Sequence, residues 1–286
     1  MAAPHASSNQ KKPVQVRLFR ITDIPSVMHS KLGWLNAAAL MRRWFKARAR
    51  TMSIIEKKGE IDPRNLQQDA IDETTITMQW VLGFTRAKLA HDKLLASWAT
   101  PKGIAELRRN ILATAPATLP KGQVSWRFGD LSMPAKVIEE TCQVNFVTVG
   151  ALDDPLDDFY GAIGKGVLKL AVTGMVTDLK NGRRQITIDE LGTYLRDTYD
   201  FNDDSFMSQP LGFWSAQTVR RGLMLRWDIE IDEVFVEEGT VPEDRLYAVQ
   251  NDDFQSYRAK YGRGGDFVIY SDVMRMRLAK PLVVEI

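Results

Sequence analysis

The hydrophobic pattern of this 286-residue chain changes its period once, and this change limits the folds that the chain can adopt. Up to about residue 112 the apolar side chains recur at the spacing of a helix, whereas from about residue 143 they alternate with polar side chains, as in a strand. Two prolines and a glycine lie between these regions, within residues 115–122, and such a cluster is typical of a structural boundary. The pattern predicts an α+β fold, in which a helical N-terminal part packs on an antiparallel, β-rich C-terminal part.

Three amphipathic helices are predicted in the N-terminal part. The first begins near Pro25, because a missing N–H costs nothing in a first helical turn, and continues to about Arg50 with a break near Gly33. The second covers residues 73–97, and the third begins at Pro101.

The remaining N-terminal segments lack this periodicity. We expect residues 1–13 to form a disordered arm, residues 14–20 to form a short strand, and residues 56–72 to form a loop. The chain then divides into a helical, basic part at 14–120 and a β-rich part at 121–286.

The C-terminal part alternates apolar and polar residues in several segments. Asn181-Gly182 lies between two of them, at 167–176 and 185–195, and Asn-Gly between apolar segments predicts a tight β-hairpin. The clearest alternation covers residues 223–236. Further strands are predicted at 143–149, 267–270 and 274–278, and helices at 153–163 and 252–261.

Charge is distributed unevenly along the chain. Residues 1–120 contain 19 basic and 9 acidic side chains, and residues 121–286 contain the remaining 19 and 27 of the chain's 38 and 36. Such an asymmetry predicts either a change of partner between the two parts or two opposite surfaces that dock on each other within one molecule.

The composition excludes several classes of protein. The single cysteine, Cys142, excludes an internal disulfide and a multi-cysteine zinc site, and no apolar segment approaches the roughly 20 residues of a membrane-spanning helix. Residues 1–12 lack the apolar core of a signal peptide. We therefore expect the protein to be located in the reducing cytoplasm of the producing cell. Secretion from that cell would require a route that uses no signal peptide.

No catalytic motif accompanies the candidate nucleophiles. The three histidines lie in the first third of the chain without metal-site spacing, and a triad built on His29 or His91 would require a nucleophile from a distant segment. Buried, inert cysteine is the common case, and this applies to Cys142. The glycine-rich residues 261–266 precede a strand rather than a helix, so they lack the usual phosphate cradle. No cofactor is predicted.

An acidic segment, residues 196–204, has a ligand-like spacing. Asp200, Asn202 and Asp204 occupy alternate positions, as the oxygen ligands of a Ca²⁺-binding loop do. The glycine and the glutamate of such a loop are absent, because Ser205 and Leu211 stand at their positions. An Asx turn that closes a strand explains the spacing as well, and no metal site is predicted.

Basic side chains surround Trp44 and Phe45 near the end of the first helix, at Arg42, Arg43, Lys46, Arg48 and Arg50. Cations interleaved with aromatic rings can bind nucleic acid or anionic lipid, but cations also favour helix C-termini through the helix dipole. We expect a solvated helix end rather than a nucleic-acid site, and we keep Arg42 and Arg43 as candidate binding residues.

Several sequence blocks resemble a proteobacterial family that is catalogued as a domain of unknown function. They include Asp23 to Pro25, Met41 to Phe45, Ile188 to Asn202, Gln209 to Ser215, Asn251 to Arg258 and Gly262 to Asp272. The resemblance covers nearly the whole chain. It implies a genetic setting near type VI secretion and polymorphic toxin genes, and it supplies no catalytic residues.

The first functional hypothesis is an antibacterial effector, or a toxin module, carried by a type VI secretion spike. Its candidate catalytic residues are Asp197, Asp200, Arg258 and Asp266, with Tyr199, Trp214 and Asp272 as binding residues. Carboxylates can act as acids and bases, and an arginine can bind a phosphate or carboxylate with two hydrogen bonds. The alternative is that these side chains only connect strand ends and turns.

The second hypothesis is a non-enzymatic binding protein. Such a protein would be an adaptor that loads an effector or an immunity-type partner that neutralises one, and its partners would be other proteins, such as a spike component. A membrane-acting toxin that uses the amphipathic helices near Trp34 and Trp44 is a weaker alternative. The residues leave open whether the protein is an enzyme.

Overall fold

A computed structural model describes residues 19–151, 153–179, 183–203, 210–221 and 246–286. Three predictions lie outside these residues: the arm at 1–13, the hairpin tip Asn181-Gly182 and the strand at 223–236. Phe19 and Arg20, the described end of the predicted strand at 14–20, are not in a strand.

The N-terminal part is helical, as its periodicity predicts. Its α-helices are α1 (Ile24–Ser30), α2 (Leu35–Lys46), α3 (Ile54–Lys57), α4 (Met78–Val81), α5 (Thr85–Ala96) and α6 (Pro101–Thr114). The first predicted helix is broken as expected at Gly33, where φ is 69°. Pro101 occupies the first turn of α6, and the Thr100 side chain caps this helix by accepting a hydrogen bond from the Gly103 N–H.

Two N-terminal predictions are wrong in part. The helix expected over 73–97 is two helices, α4 and α5, because the chain turns at Gly83, and glycine is a poor residue for a helix interior. The expected loop at 56–72 contains the end of α3, two 3-10 turns and a short strand, β1 (Ile71–Asp72).

The main sheet is built around a long antiparallel pair, β4 (Gly166–Asp178) and β5 (Arg184–Tyr199), which confirms the predicted pairing of the hairpin strands. Its other strands are β1, β2 (Ser125–Phe128), β3 (Gln143–Val149), β9 (Phe267–Tyr270) and β10 (Met274–Glu285). Strands β2 and β3 pair with successive parts of β4, and β10 and β9 pair with successive parts of β5. All these pairs are antiparallel, so the described part of the chain has the predicted α+β architecture.

Strand β1 connects the two parts of the chain. It pairs in parallel with β9, and Asp72 lies opposite Ile269. The N-terminal part therefore contributes a strand to the main sheet, which a local pattern over two residues could not predict.

A second, three-stranded sheet has the order β7-β6-β8, formed by β6 (Pro210–Trp214), β7 (Val219–Arg220) and β8 (Tyr247–Gln250). The remaining helices are α7 (Ala135–Thr141), α8 (Asp158–Ala162) and α9 (Asn251–Tyr261). Helix α8 begins five residues later than predicted, because the Asp157 side chain caps it by accepting a hydrogen bond from the Tyr160 N–H. In the described residues, no helix is long and apolar enough to cross a membrane.

Opposite charges of the two parts meet inside the molecule. Arg86 is ion-paired with Asp154 and Asp157, and Lys57 is ion-paired with Asp200. These contacts support the interpretation that the uneven charge partly serves docking within one molecule.

Trp44 lies fully buried at the end of α2 and joins the N-terminal helices to the C-terminal part. Its ring contacts the rings of Phe201 and Phe254 at centroid distances of 5.0 and 5.4 Å. The chain passes against this ring at Gly264, where φ is +98° and an added Cβ atom would lie 2.4 Å from the tryptophan. Only glycine fits this position without a shift of the core.

Replacing Gly264 with alanine is expected to lower the free energy of unfolding by about 2–4 kcal/mol, because the methyl group overlaps the Trp44 ring and the backbone is left-handed. Gly262→Ala is the matched control: φ there is +61° and nothing lies within 4 Å of the added methyl group. Its loss should be about 1 kcal/mol. Urea unfolding measures both, and equal losses would contradict the packing argument.

Candidate functional site

Two of the four candidate catalytic residues form a buried ion pair. Arg258 lies on α9 and Asp266 immediately precedes β9, and their side chains are about 10% and 0% exposed. The Arg258 guanidinium donates to the Asp266 carboxylate through Nη2. Together with Trp44 and Asn202, which also bind this pair, we call these four residues the clasp.

Arg258 is fully engaged by the protein. Its Nε donates to the Gly264 carbonyl at 2.8 Å, and its Nη1 donates to Thr51 Oγ1 at 2.7 Å and to Asn202 Oδ1 at 3.0 Å. The guanidinium also lies 5.3 Å from the centre of the Trp44 ring. These contacts hold Arg258 in one position and leave it little capacity to bind a ligand.

Asp266 accepts hydrogen bonds on both carboxylate oxygens. Oδ1 accepts from Trp44 Nε1 at 2.9 Å, and Oδ2 accepts from the Met52 N–H at 2.9 Å and from Asn202 Nδ2 at 2.7 Å. Burial raises the pKa of Asp266, and the hydrogen bonds from Trp44 and Met52 oppose this rise. The carboxylate therefore stabilises contacts between segments distant in sequence.

Asp200 lies beside the clasp without contacting Arg258 directly. Its Oδ1 is 2.7 Å from Lys57 Nζ and accepts from the Asn202 N–H at 3.2 Å. The second contact is the Asx turn that the sequence offered as an alternative to a Ca²⁺ loop. Asp204 lies outside the described residues, and within them no group of three or more potential ligands could hold a metal ion.

Asp197 is placed differently from the other three candidates. It lies within β5 opposite Ile269, and the alternation of strand side chains puts it on the sheet face opposite to that of Arg196. Burial raises the pKa of Asp197 well above its usual value, against a hydrogen bond from the Thr198 backbone. The structure brings Arg258 and Asp266 into contact, with Asp200 next to them. Among the described residues no hydrogen bond or ion pair joins Asp197 to these three, although the charge of Asp200 contributes to the rise of its pKa.

The three candidate binding residues of the C-terminal part are engaged within the fold. Tyr199 is stacked on Phe267 at 5.3 Å, and the Trp214 indole N–H donates to the Leu211 carbonyl at 3.2 Å. Asp272 accepts a hydrogen bond from the Met78 N–H at 2.6 Å, at the start of α4. Each contact fixes local structure.

The two candidate arginines of the N-terminal part have internal partners as well. Arg42 donates to the Pro25 carbonyl at 3.2 Å. Arg43 donates to the Asp72 carboxylate at 3.1 Å and to the Ile71 carbonyl at 2.6 Å, so it holds β1 against α2. Both side chains are partly exposed, and Lys46 and Arg48 of the same basic segment are exposed, as expected of a solvated helix end.

A histidine and a threonine hydroxyl group from distant segments meet at β5. His91 Nε2 lies 3.0 Å from Thr193 Oγ1, and its Nδ1 lies 3.7 Å from the Asp92 carboxylate. Burial lowers the pKa of His91. Because Thr193 is only 2% exposed within β5, this contact is a core hydrogen bond rather than a nucleophile and its base.

Cys142 follows α7 and is completely buried. Burial raises the pKa of its thiol to about 11. The thiol therefore stays protonated at neutral pH, as expected of an inert core cysteine.

Two features were not found from the sequence. The first is a set of buried polar side chains on one face of the main sheet, which we call the Glu139 cluster. It consists of Glu139, Lys169, Tyr194, Arg196 and Tyr270. A lysine inside the otherwise apolar segment 167–172 was the available signal.

The second feature is a surface groove of about 550 Å³ at the end of the β4–β5 pair where β4 finishes and β5 begins, between α6 and β10. It is lined by Arg108, Leu112, Asp178, Leu179, Arg183, Arg184 and Ile286, and we call it the basic groove. Its volume is within the range of small-molecule and peptide-side-chain pockets. Arg184 is held by Asp178 at 2.8 Å and lies over the Trp126 ring at 5.2 Å.

The fold and these sites define a mixed α+β protein in which two of the four candidate catalytic residues, Arg258 and Asp266, bind each other. A family model matches residues 19–286, and the chain belongs to that family, a family of unknown function named DUF6402. No curated protein and no solved structure matches the chain.

Replacing Asp266 with alanine is expected to lower the free energy of unfolding by about 3–5 kcal/mol, because the Arg258 charge would stay buried without its partner. The control is Asp189→Ala, which removes the partner of Arg127 from an ion pair whose side chains are 45% and 42% exposed. That loss should be below about 1 kcal/mol. Urea unfolding tests both variants, and a small loss at Asp266 would refute a stabilising role for the clasp.

Asp197→Asn is expected to make the protein more stable than the wild type at neutral pH. A native pKa above the unfolded one means that the folded chain binds more protons, so wild-type stability falls as pH rises from about 4 through the native pKa. Asparagine carries no charge and escapes this penalty. Urea unfolding of both proteins between pH 4 and 8 should show a difference that grows with pH. If the wild type became more stable relative to the variant as the pH rises, this result would contradict the raised pKa of Asp197.

Proposed function

We propose that this chain is a non-enzymatic binding protein that serves a type VI secretion or toxin system, as an adaptor for an effector or as an immunity-type partner. The basic groove carries this proposal. The genetic setting comes from the family resemblance alone. The engagement of Arg258 and Asp266 with each other supports a binding role, since both side chains are occupied by the fold.

The lining of the basic groove suits an acidic protein segment with apolar side chains. Three arginines face three apolar residues and one carboxylate, and that carboxylate is already paired with Arg184. Leu112 is 60% exposed and offers an apolar contact at the rim. Charged groups at the rim of an interface raise the association rate and select partners of opposite charge, so acidic effectors or spike proteins are the expected partners.

An effector role is the second candidate function, and Asp197 favours it. Burial raises the pKa of Asp197, and a carboxyl group with a raised pKa can act as a general acid. Production of the chain in a bacterial host, in the cytoplasm and in the periplasm, separates the two roles. Growth arrest that Asp197→Asn abolishes would favour the effector; unimpaired growth in both compartments would favour the binding protein.

The binding proposal predicts that charge reversal in the basic groove weakens a specific complex. We expect Arg108→Glu combined with Arg183→Glu to reduce the affinity for a partner encoded by a neighbouring gene at least tenfold, mainly through slower association. Arg109→Glu is the matched control, because Arg109 lies on the same helix, is 74% exposed and is outside the groove.

Surface plasmon resonance with the purified products of the neighbouring genes measures the association and dissociation rates of each complex. The melting temperatures of all variants should stay near that of the wild type, because the replaced side chains are at the surface. Equal effects of the groove and control variants, or no complex with any neighbouring product, would refute the proposal.

A further inference from the structure

The Glu139 cluster is assembled by strand register. Lys169 lies directly opposite Tyr194 in the β4–β5 pair, and Arg196 lies directly opposite Tyr270 in the β5–β9 pair. Tyr194 and Arg196 are two residues apart on β5, so all four side chains share one face of the sheet. Helix α7 contributes Glu139 to this face.

Glu139 is the centre of the cluster. Its Oε1 lies 2.6 Å from Lys169 Nζ and 3.5 Å from Arg196 Nε, and the Glu139 side chain is only 7% exposed. The rings of Tyr194 and Tyr270 are 6.3 Å apart. The charge of Glu139 raises the pKa of both tyrosines, in addition to the larger effect of burial, and the charge of Arg196 opposes this rise. Hydrogen bonding of the Tyr270 hydroxyl with Glu139 and Arg196 has the same two opposite effects on the pKa of Tyr270.

Arg196 is oriented by its other nitrogen atoms. Nη2 donates to the Glu56 carbonyl at 2.9 Å and Nη1 donates to the Lys57 carbonyl at 3.3 Å, both at the end of α3. The chain lies against this guanidinium at Gly59, where an added Cβ atom would be 3.2 Å from Nη2. These contacts leave Nε on the side of Glu139.

Three atoms of the cluster are buried without a hydrogen-bond partner among the described residues: Glu139 Oε2, Tyr194 Oη and Arg196 Nε. A buried polar atom without a partner is costly, and native structures rarely keep one. Arg196 Nε has the 3.5 Å ion-pair contact with Glu139 Oε1, which lacks the geometry of a hydrogen bond. Three such atoms on side chains around one carboxylate indicate a shared ligand.

The chemistry of these atoms limits that ligand. Glu139 Oε2 requires a donor, Arg196 Nε requires an acceptor, and the Tyr194 hydroxyl can be either. The charges of Lys169 and Arg196 disfavour a cation, and the free carboxylate oxygen disfavours an anion that has no proton to donate. A hydroxyl oxygen satisfies all three atoms, because it donates once and accepts twice.

We propose that Glu139, Tyr194 and Arg196 form a buried binding site for a hydroxyl oxygen, supplied by water or by a small alcohol such as a polyol. The site is independent of the basic groove and of the proposed binding function. Lys169 completes it as a positioning residue, since its ammonium group holds the other oxygen of Glu139.

Tyr194→Phe tests this proposal, with Tyr199→Phe as the matched control. The Tyr199 hydroxyl is also buried without a partner among the described residues, but its ring packs against those of Phe201 and Phe267, outside the Glu139 cluster. The carboxylate charge that acts on it is that of Asp197. Removing an unpartnered hydroxyl is neutral or stabilising, whereas removing one that binds a ligand is destabilising. We expect the melting temperature to fall by about 2–6 °C for Tyr194→Phe and to stay the same or rise for Tyr199→Phe.

Equal shifts for the two variants, or no loss for Tyr194→Phe, would overturn the proposal. If Tyr194→Phe does not fold, a crystal structure of the wild type at high resolution decides the question, because an oxygen atom should lie within about 3.2 Å of all three atoms. Density that shows none would overturn the proposal equally. Native mass spectrometry of the dialysed wild type identifies the source: an added mass that Glu139→Gln removes indicates an alcohol, and the bare mass indicates water.

Discussion

The fold depends on one buried carboxylate. Asp266 accepts hydrogen bonds from Trp44, Met52, Asn202 and Arg258. These residues belong to the end of α2, the segment after α2, the segment after β5, and α9. Such a charge is costly to bury unless every lone pair is satisfied. Because these partners come from segments up to 222 residues apart, the carboxylate can be satisfied only when the whole arrangement has formed.

The same dependence explains where the candidate functional groups are. Charged residues next to Tyr, Trp and Gly at strand ends are typical of active sites, but they are also the residues that connect strands, helices and turns when a core is closed. In the structure, Arg258 and Asp266 connect a helix, a strand and the segments around them. Three of the buried groups that keep unused hydrogen-bonding capacity lie elsewhere, in the Glu139 cluster. The exposed arginines Arg108 and Arg183 line the basic groove.

The uneven charge of the sequence has a related explanation. Basic side chains of the N-terminal part contact acidic side chains and carbonyl groups of the C-terminal part, as Arg86 and Lys57 do. Within the described residues, the contribution of β1 to the main sheet makes the two parts share one core. The proline-rich segment at 115–122 therefore marks a change of local structure more than a separation of the molecule.

The sequence by itself determined the local structure: the helices that begin at Pro25 and Pro101, the break at Gly33, the pairing of β4 with β5 and the α+β class. These features depend on residues close together in the chain, through hydrophobic period, capping and turn chemistry. Only the tertiary structure decided the parallel pairing of β1 with β9, the contact of Trp44 with Asp266 and the meeting of Glu139, Lys169 and Arg196. Each joins residues that no local pattern connects, because strand register and helix packing select the partners after the elements have formed.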